Sequence, residues 1–379
     1  MTLDLSRDTI FVTLAGSHAH GTAHAGSDVD LRGVCVAPFE LRVSLFRTFE
    51  QFEGALDGPL WDTVRARLAT HPTASRGVAV KTESVVFDVA KLLHLCASAN
   101  PNALEILFAD PGDWLHETPA WRRLHGERHR FLSKKVQQTY LGYAMAQLKK
   151  IKTHRSWLLR PPTHKPTRGE FWLPESGTMS RDDQSRIEQS IADKVRSYGI
   201  DTLEMPKAAR IALHERLRAF WCDALAADDD ELDDRLRSVA VTALDLPPAV
   251  AVSLDAERKY RAAMKHWEAY ESWKSERNPA RAALEKEHGY DTKHAMHLLR
   301  LMQTGLDLLT TGELLVRRAN AHELDAVRHG ELSFDELLAK AAELEARMNA
   351  AARTTSLPEQ IDFELVDGLA VELIRGARA

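Results

Sequence analysis

Two aspartates one residue apart, Asp28 and Asp30, lie just downstream of a Gly16-Ser17 pair in the stretch Leu14 to Val34, LAGSHAHGTAHAGSDVDLRGV. Alternate residues of an extended strand share a face, so both carboxylates would project to one side and offer hard oxygens close enough to share divalent cations. Magnesium suits that donor set: it prefers octahedral oxygen and is usually bound through one or two carboxylates together with substrate phosphates. The Gly-Ser pair supplies a second element, because a tight turn that opens a short helix presents backbone N–H groups and a hydroxyl to phosphate oxygens. Either feature alone is weak, since D-x-D also occurs in acidic turns that hold no ion. Arg32, just past the aspartates, has two readings, a contact to substrate phosphate or a counter-charge for buried carboxylates. His18, His20 and His24 crowd the same loop, and their spacing invites zinc. A zinc site normally closes with four N or S ligands, and no partner set is evident, so these imidazoles are expected to touch phosphate or pack locally.

The elements that must position these groups read as an N-terminal layer of short strands and helices. Thr9 to Ala15 is a strand ended by Gly16-Ser17, and Asp28 to Ala37 is a second strand. Residues 54 to 80, with Gly54, Gly58, Pro59, Pro72 and Gly77, read as a loop with one amphipathic turn. A third strand spans Thr82 to Phe87. Asp88 then N-caps a helix that turns Leu92, Leu93, Leu95 and Cys96 inward and stops at Asn100-Pro101.

Beyond Ser133 the composition shifts. Nine Lys and Arg residues accumulate between Ser133 and Arg168 with no Asp or Glu among them. Within this stretch Gln147 to Trp157 mixes cations with an aromatic, and Lys149, Lys152, His154 and Arg155 are candidate contacts to an acceptor strand, with Trp157 to stack a base. The same pattern also describes the exposed side of an amphipathic helix. From about Ile187 helix formers dominate, so the chain divides into 1–115, 116–186 and 187–379: a catalytic domain, a basic connecting segment and a helical substrate-binding domain. In the last part Asp291, Lys293, His294, His297 and Arg300 share a helix face at spacings near three and four, with Leu298, Leu299, Leu301 and Met302 behind it. That face reads either as a lid over nucleotide phosphates, with Lys293 the main contact, or as an ion-paired interdomain seam. The acidic run around Asp228 to Asp234 reads as a solvated loop.

Composition sets limits on function. At 379 residues, 44% hydrophobic and 28% charged, the chain is a globular protein of two or three units. Cys35, Cys96 and Cys222 are few and unpaired in sequence, which excludes a disulfide framework and a zinc ribbon and fits a reducing cytoplasm. The N-terminus carries no signal-peptide pattern and no stretch approaches the roughly 20 apolar residues of a membrane span, so no membrane partner is expected. A net charge of -5 excludes a globally basic nucleic-acid coat but leaves room for a local basic surface.

Gly16-Ser17-His18-Ala19-His20-Gly21 followed by Ser27-Asp28-Val29-Asp30-Leu31 resembles the signature of the DNA polymerase β superfamily of nucleotidyltransferases. The extension Arg32-Gly33-Val34, the run Asn100 to Glu105 (NPNALE) and the stretch Tyr290 to His297 (YDTKHAMH) resemble a bacterial branch of it, predicted nucleotidyltransferases associated with RNA ligases and RNA repair. The resemblance implies an α+β protein, a mixed sheet flanked by helices followed by a mainly α-helical C-terminal region. It implies that Gly16 and Ser17 bind the triphosphate of an NTP, ATP among the candidates, and that three carboxylates hold two Mg2+ ions, or Mn2+. Asp28 and Asp30 would be two of these. The third belongs on a neighbouring strand, where Glu83 is the candidate and Asp88 its rival; otherwise Asp88 is an N-cap and Glu83 a strand-end charge. Arg32 and Lys293 would join the nucleotide site. The implied reaction moves NMP to an acceptor hydroxyl with release of pyrophosphate, on RNA and beside RNA-repair proteins. A protein or small-molecule acceptor, or a noncatalytic nucleotide-binding module, are the alternatives.

Overall fold

The computed structural model describes residues 3–24, 26–75, 82–175, 179–226 and 231–376. The fold is α+β, as expected. Strands β1 (Thr9–Leu14), β2 (Val29–Cys35), β3 (Gln51–Gly54), β4 (Thr82–Asp88) and β5 (Trp114–Glu117) form one sheet in the order β3-β4-β2-β1-β5. The pair β2/β4 is parallel and the other pairs are antiparallel, so the sheet is mixed. Two short strands, β3 and β5, extend the three expected ones; at four residues each they lack the apolar run that marks a strand in sequence.

The two faces of the sheet differ. Val12, Leu14, Val29, Leu31, Cys35 and Val86 bury one face against Leu60, Val64 and Leu68 of a helix at Gly58–Thr70. Residues 54 to 80 are therefore not mainly loop: three apolar residues four apart make a helical stripe 13 residues long. Residues 76–81, including Gly77, lie outside the described residues. Phe11 and Val34, on the other face, join a larger core built from the helices α1 (Val89–Ala97), α2 (Pro101–Leu107), α3 (Lys135–Leu159), α4 (Thr292–Thr311) and α5 (Phe334–Thr354). Asp88 caps α1 by accepting from Ala90 N at 3.0 Å, as predicted. The helix ends at Ala97, and Asn100 caps α2 in turn, accepting from Asn102 N and Ala103 N.

The helix α3 runs against α4. Gly305 of α4 makes the approach possible: a Cβ there would stand 2.9 Å from Tyr140 Cβ and 2.6 Å from Met348 Cε. The chain accordingly groups into two compact units, residues 1–159 with 279–379, and residues 160–278. These boundaries do not coincide with 115 and 187. A basic composition did not mark a connector, because α3 buries Val136, Tyr140, Ala144, Ile151 and Trp157 in the first unit's core. The second unit is helical, with Ile191, Val195, Ile200, Trp221, Leu225 and Leu244 at its centre. Arg168 pairs there with Glu257. Asp228, Asp229 and Asp230 of the acidic run lie outside the described residues, and from Glu231 the chain is helical rather than a loop. Among the described residues no helix is long and apolar enough to cross a membrane.

Candidate active site

The Gly-Ser pair opens a short helix, Gly16–His20, at the end of β1, and the backbone of this turn is tied to β2 by Ala15 N donating to Asp30 O at 2.9 Å. Gly16 has a φ of +59°, and a Cβ at this position would lie 2.2 Å from Asp30 Oδ2. No side chain could therefore replace that hydrogen while Asp30 keeps its place: the carboxylate packs directly on the turn. Asp28, just before β2, is exposed; Ser17 and Asp30 are half-buried.

Strand register puts the two candidates for a third carboxylate on opposite faces. In the parallel pair Asp30 sits opposite Glu83 and Cys35 opposite Asp88. Opposite residues point to the same side, so Glu83 joins Asp30 while Asp88 lies on the other face. Asp88 is also committed elsewhere: besides its cap it accepts from Arg42 and, at 3.1 Å, from Ala37 N. Glu83 is exposed at the start of β4. On the edge strand, Glu53 pairs with Val85 and falls on this face too; its β3 has no clear sequence signal, so it escapes a reading from spacing.

The same face borders a cavity of about 650 Å³. Gly16 and Arg32 line it, together with Lys150 from α3 and Lys293, His297 and Arg300 from α4. Ser17, Asp28, Asp30 and Glu83 are not among its lining residues. Its size falls within the range of small-molecule sites. Arg32 donates to Leu31 O at 2.8 Å, a contact that leaves its charge uncompensated by that partner.

Beneath the turn, Glu105 of α2 accepts from Arg300 and faces His20 Nε2 at 3.0 Å. Burial alone would push the Glu105 carboxyl up, but Arg300 and then His20 outweigh it and hold it well below the ordinary carboxylate range. Burial lowers His20, with Arg300 adding to the effect. Thus His20 packs locally, and the NPNALE and YDTKHAMH segments meet through Glu105 and the helix that carries Arg300. Burial, followed by the Arg300 charge, pushes His297 down to about 3, and burial pushes His294 down to about 4, so both imidazoles stay neutral at physiological pH.

One expectation holds and one needs correction. The polar face at Asp291 to Arg300 belongs to a core-packed helix, as expected, with Leu298, Leu299, Leu301 and Met302 of α4 in the core. Asp291 caps this helix, accepting from His294 N at 3.0 Å, and pairs with Arg281, while Lys293 reaches the cavity. The basic stretch divides. Lys149 and Lys152 are exposed, but Arg155 donates to Gly289 O at 2.7 Å and stacks 4.4 Å from the centre of the Phe334 ring. His154 lies 3.2 Å from Asp291 Oδ2, and Trp157 is 4% exposed with its ring on His154, so no base can stack there.

A mixed sheet with a Gly-Ser turn packed on a strand aspartate is the framework that the resemblance to polymerase-β-like nucleotidyltransferases implies. Residues 5–161 are similar to the RNA repair pathway DNA polymerase beta family, RlaP. The match stops short of residues 279–379, which nevertheless pack into the same compact unit and supply Lys293, His297 and Arg300. No curated protein and no solved structure matches the chain.

Proposed function

We propose that this protein transfers NMP from an NTP to a hydroxyl of RNA in repair or end modification, releasing pyrophosphate. The observation that carries the reading is the Asp30 carboxylate packed on Gly16 at the phosphate turn, with Glu83 its register neighbour on the same face. Asp28, Asp30 and Glu83 are hard oxygen donors, and the fit of Asp30 against a position where no Cβ is tolerated favours a small oxygen-loving cation there. Magnesium, or manganese in its stead, would be held by these three carboxylates and would supply charge neutralisation at the reacting phosphate.

The rest falls to the chain's own groups. The N–H groups and hydroxyl at Gly16 and Ser17 hold the triphosphate at the turn, where hydrogen bonds to an anion are strongest. Arg32 and Lys293 offset the negative charge of the tail. Glu105 orients Arg300 so that its fork stays at the cavity wall. Lys149 and Lys152, exposed on one helix, meet the phosphates of the RNA acceptor.

The test is direct. Purified protein is incubated with each labelled NTP, Mg2+ or Mn2+, and a panel of RNAs differing at their ends. Label on RNA that depends on the metal and vanishes in Asp30→Ala is the expected result. Label on the protein itself would shift the acceptor to a side chain, and absence of transfer with every NTP and metal would overturn the reading in favour of a nucleotide-binding module.

A further inference from the structure

One cluster of metal-ligating side chains is left unused by nucleotidyl transfer. His154, near the end of α3, and Asp291 and His294, at the start of α4, bring one ligand atom each within 4.8 Å of one another. We propose that these three residues form a second metal site, for a borderline-soft divalent cation of the Zn2+ class, separate from the carboxylates at the phosphate turn.

Geometry is the first argument. Zinc bonds to imidazole nitrogen and carboxylate oxygen are about 2.0–2.1 Å long, so two ligands at a tetrahedral angle stand roughly 3.3 Å apart. Asp291 Oδ2 lies 3.2 Å from His154 Nδ1 and 3.5 Å from His294 Nε2, which brackets that edge. The oxygen is a shared vertex, and its direction is set because the other oxygen of the same carboxylate is fixed as the helix cap, accepting from His294 N at 3.0 Å.

Donor chemistry is the second. Two imidazoles and one carboxylate are the set that zinc takes when one position stays open, and a set that magnesium does not favour. His294 also lines the cavity, so the fourth position can be taken by water or by an oxygen of a bound anion.

Electrostatics is the third. Asp291 is 0% exposed and Glu285 is 1% exposed, and Arg281 reaches both, pairing with Asp291 Oδ2 and standing 3.3 Å from Glu285 Oε1. A cation on Oδ2 would compete with Arg281, which has Glu285, four residues on in its own helix, as an alternative partner. The structure thus carries both the site and the internal group that competes for it.

The experiment uses the full chain without nucleotide or magnesium, so it stands apart from the nucleotidyl-transfer test. Protein stripped with a chelator is titrated with Zn2+ against a chromophoric competitor, and with Co2+ while the visible spectrum is followed. One equivalent of zinc and an intense four-coordinate Co2+ band are expected. Binding should persist in Asp28→Ala/Asp30→Ala, weaken about tenfold or more in His154→Gln and His294→Gln, and tighten in Arg281→Gln, where the competitor is gone. Less than one equivalent in the wild type, unchanged affinity in folded His154→Gln and His294→Gln, or no tightening in Arg281→Gln would overturn the proposal. Should a histidine variant fail to fold, the wild-type Co2+ spectrum decides, since a weak six-coordinate band excludes this donor set.

Discussion

The two walls of the cavity region are built on opposite plans. On the sheet side, Gly16 and Arg32 line the cavity, while Asp28 and Asp30, between them in sequence, stand outside its lining, and the placement of all four follows from a tight turn and strand alternation. On the helical side, Lys150, Lys293, His297 and Arg300 come from two helices far apart in sequence, and only the packing of α3 on α4 gathers them. The acidic side is held by backbone geometry, so its failures should appear in chemistry. The basic side is held by side-chain packing and ion pairs, so its failures should appear in binding and stability.

The largest contrast should come from two aspartates near one strand pair. Asp30→Ala is expected to lower kcat by about a thousandfold or more, the scale of several kcal/mol at the reacting phosphate, with the melting temperature little changed. Asp88→Ala should do the reverse: it removes the cap of α1 and leaves Arg42 with only its bond to Ala37 O, costing about 1–3 kcal/mol of stability while turnover per folded molecule survives. Measured side by side, kcat and urea midpoints decide; an Asp88 variant that folds normally and is catalytically dead would reverse the assignment of faces. Gly16→Ala should rank next, near a hundredfold in kcat, because the added methyl displaces Asp30 rather than deleting it.

The helical side should respond more mildly. Arg300→Lys keeps the charge but loses the fork that Glu105 holds, and is expected to raise the KM for NTP about tenfold with a smaller change in kcat. Glu105→Gln should move the same parameter in the same direction. Steady-state kinetics with NTP varied at saturating RNA would check it, and an effect confined to the KM for RNA would remove Arg300 from the nucleotide site.

The same contrast explains what the sequence revealed. The strand positions of Asp30 and Glu83 and the turn at Gly16 were legible because strand alternation and a glycine at a strand end are local rules. Asp88 could be told from Glu83 only by register, since five residues along a strand change the face but a sequence without a paired partner has no fixed face. Trp157 and Arg155 read as acceptor contacts because a helix with cations and an aromatic looks solvent-facing until its neighbour is known. Gly289 and Phe334, the partners of Arg155, and Asp291, the partner of His154, lie more than a hundred residues away. The helix at 58–70 was hidden by its flanking Gly and Pro, which open it rather than break it.

A pH titration sharpens the comparison further. Between the ordinary histidine value of 6.5 and about 3, the unfolded chain carries a proton at His297 that the folded chain refuses. Stability should therefore fall as pH drops through that window, by at most about 1.4 kcal/mol per pH unit from this group. His297→Gln should flatten the slope of urea midpoint against pH between 6.5 and 4.5. Equal slopes in the wild type and His297→Gln would mean that another group sets the acid limb.

The smallest effects are expected from the exposed cations. Lys149 and Lys152 are exposed, so Lys149→Ala and Lys152→Ala should leave melting and NTP binding as they are. If they meet RNA phosphates, each should weaken RNA binding modestly and reduce the slope of log affinity against log salt by about one. Arg155→Ala makes the opposite pattern, because its guanidinium joins Gly289 to α3 and covers Phe334, so stability should drop and any loss of RNA binding should track unfolding. Salt-dependent binding isotherms for the three variants, each corrected for folded fraction, separate a phosphate contact from a structural cation. A lysine pair with an unaltered salt slope would move the acceptor path off this helix altogether.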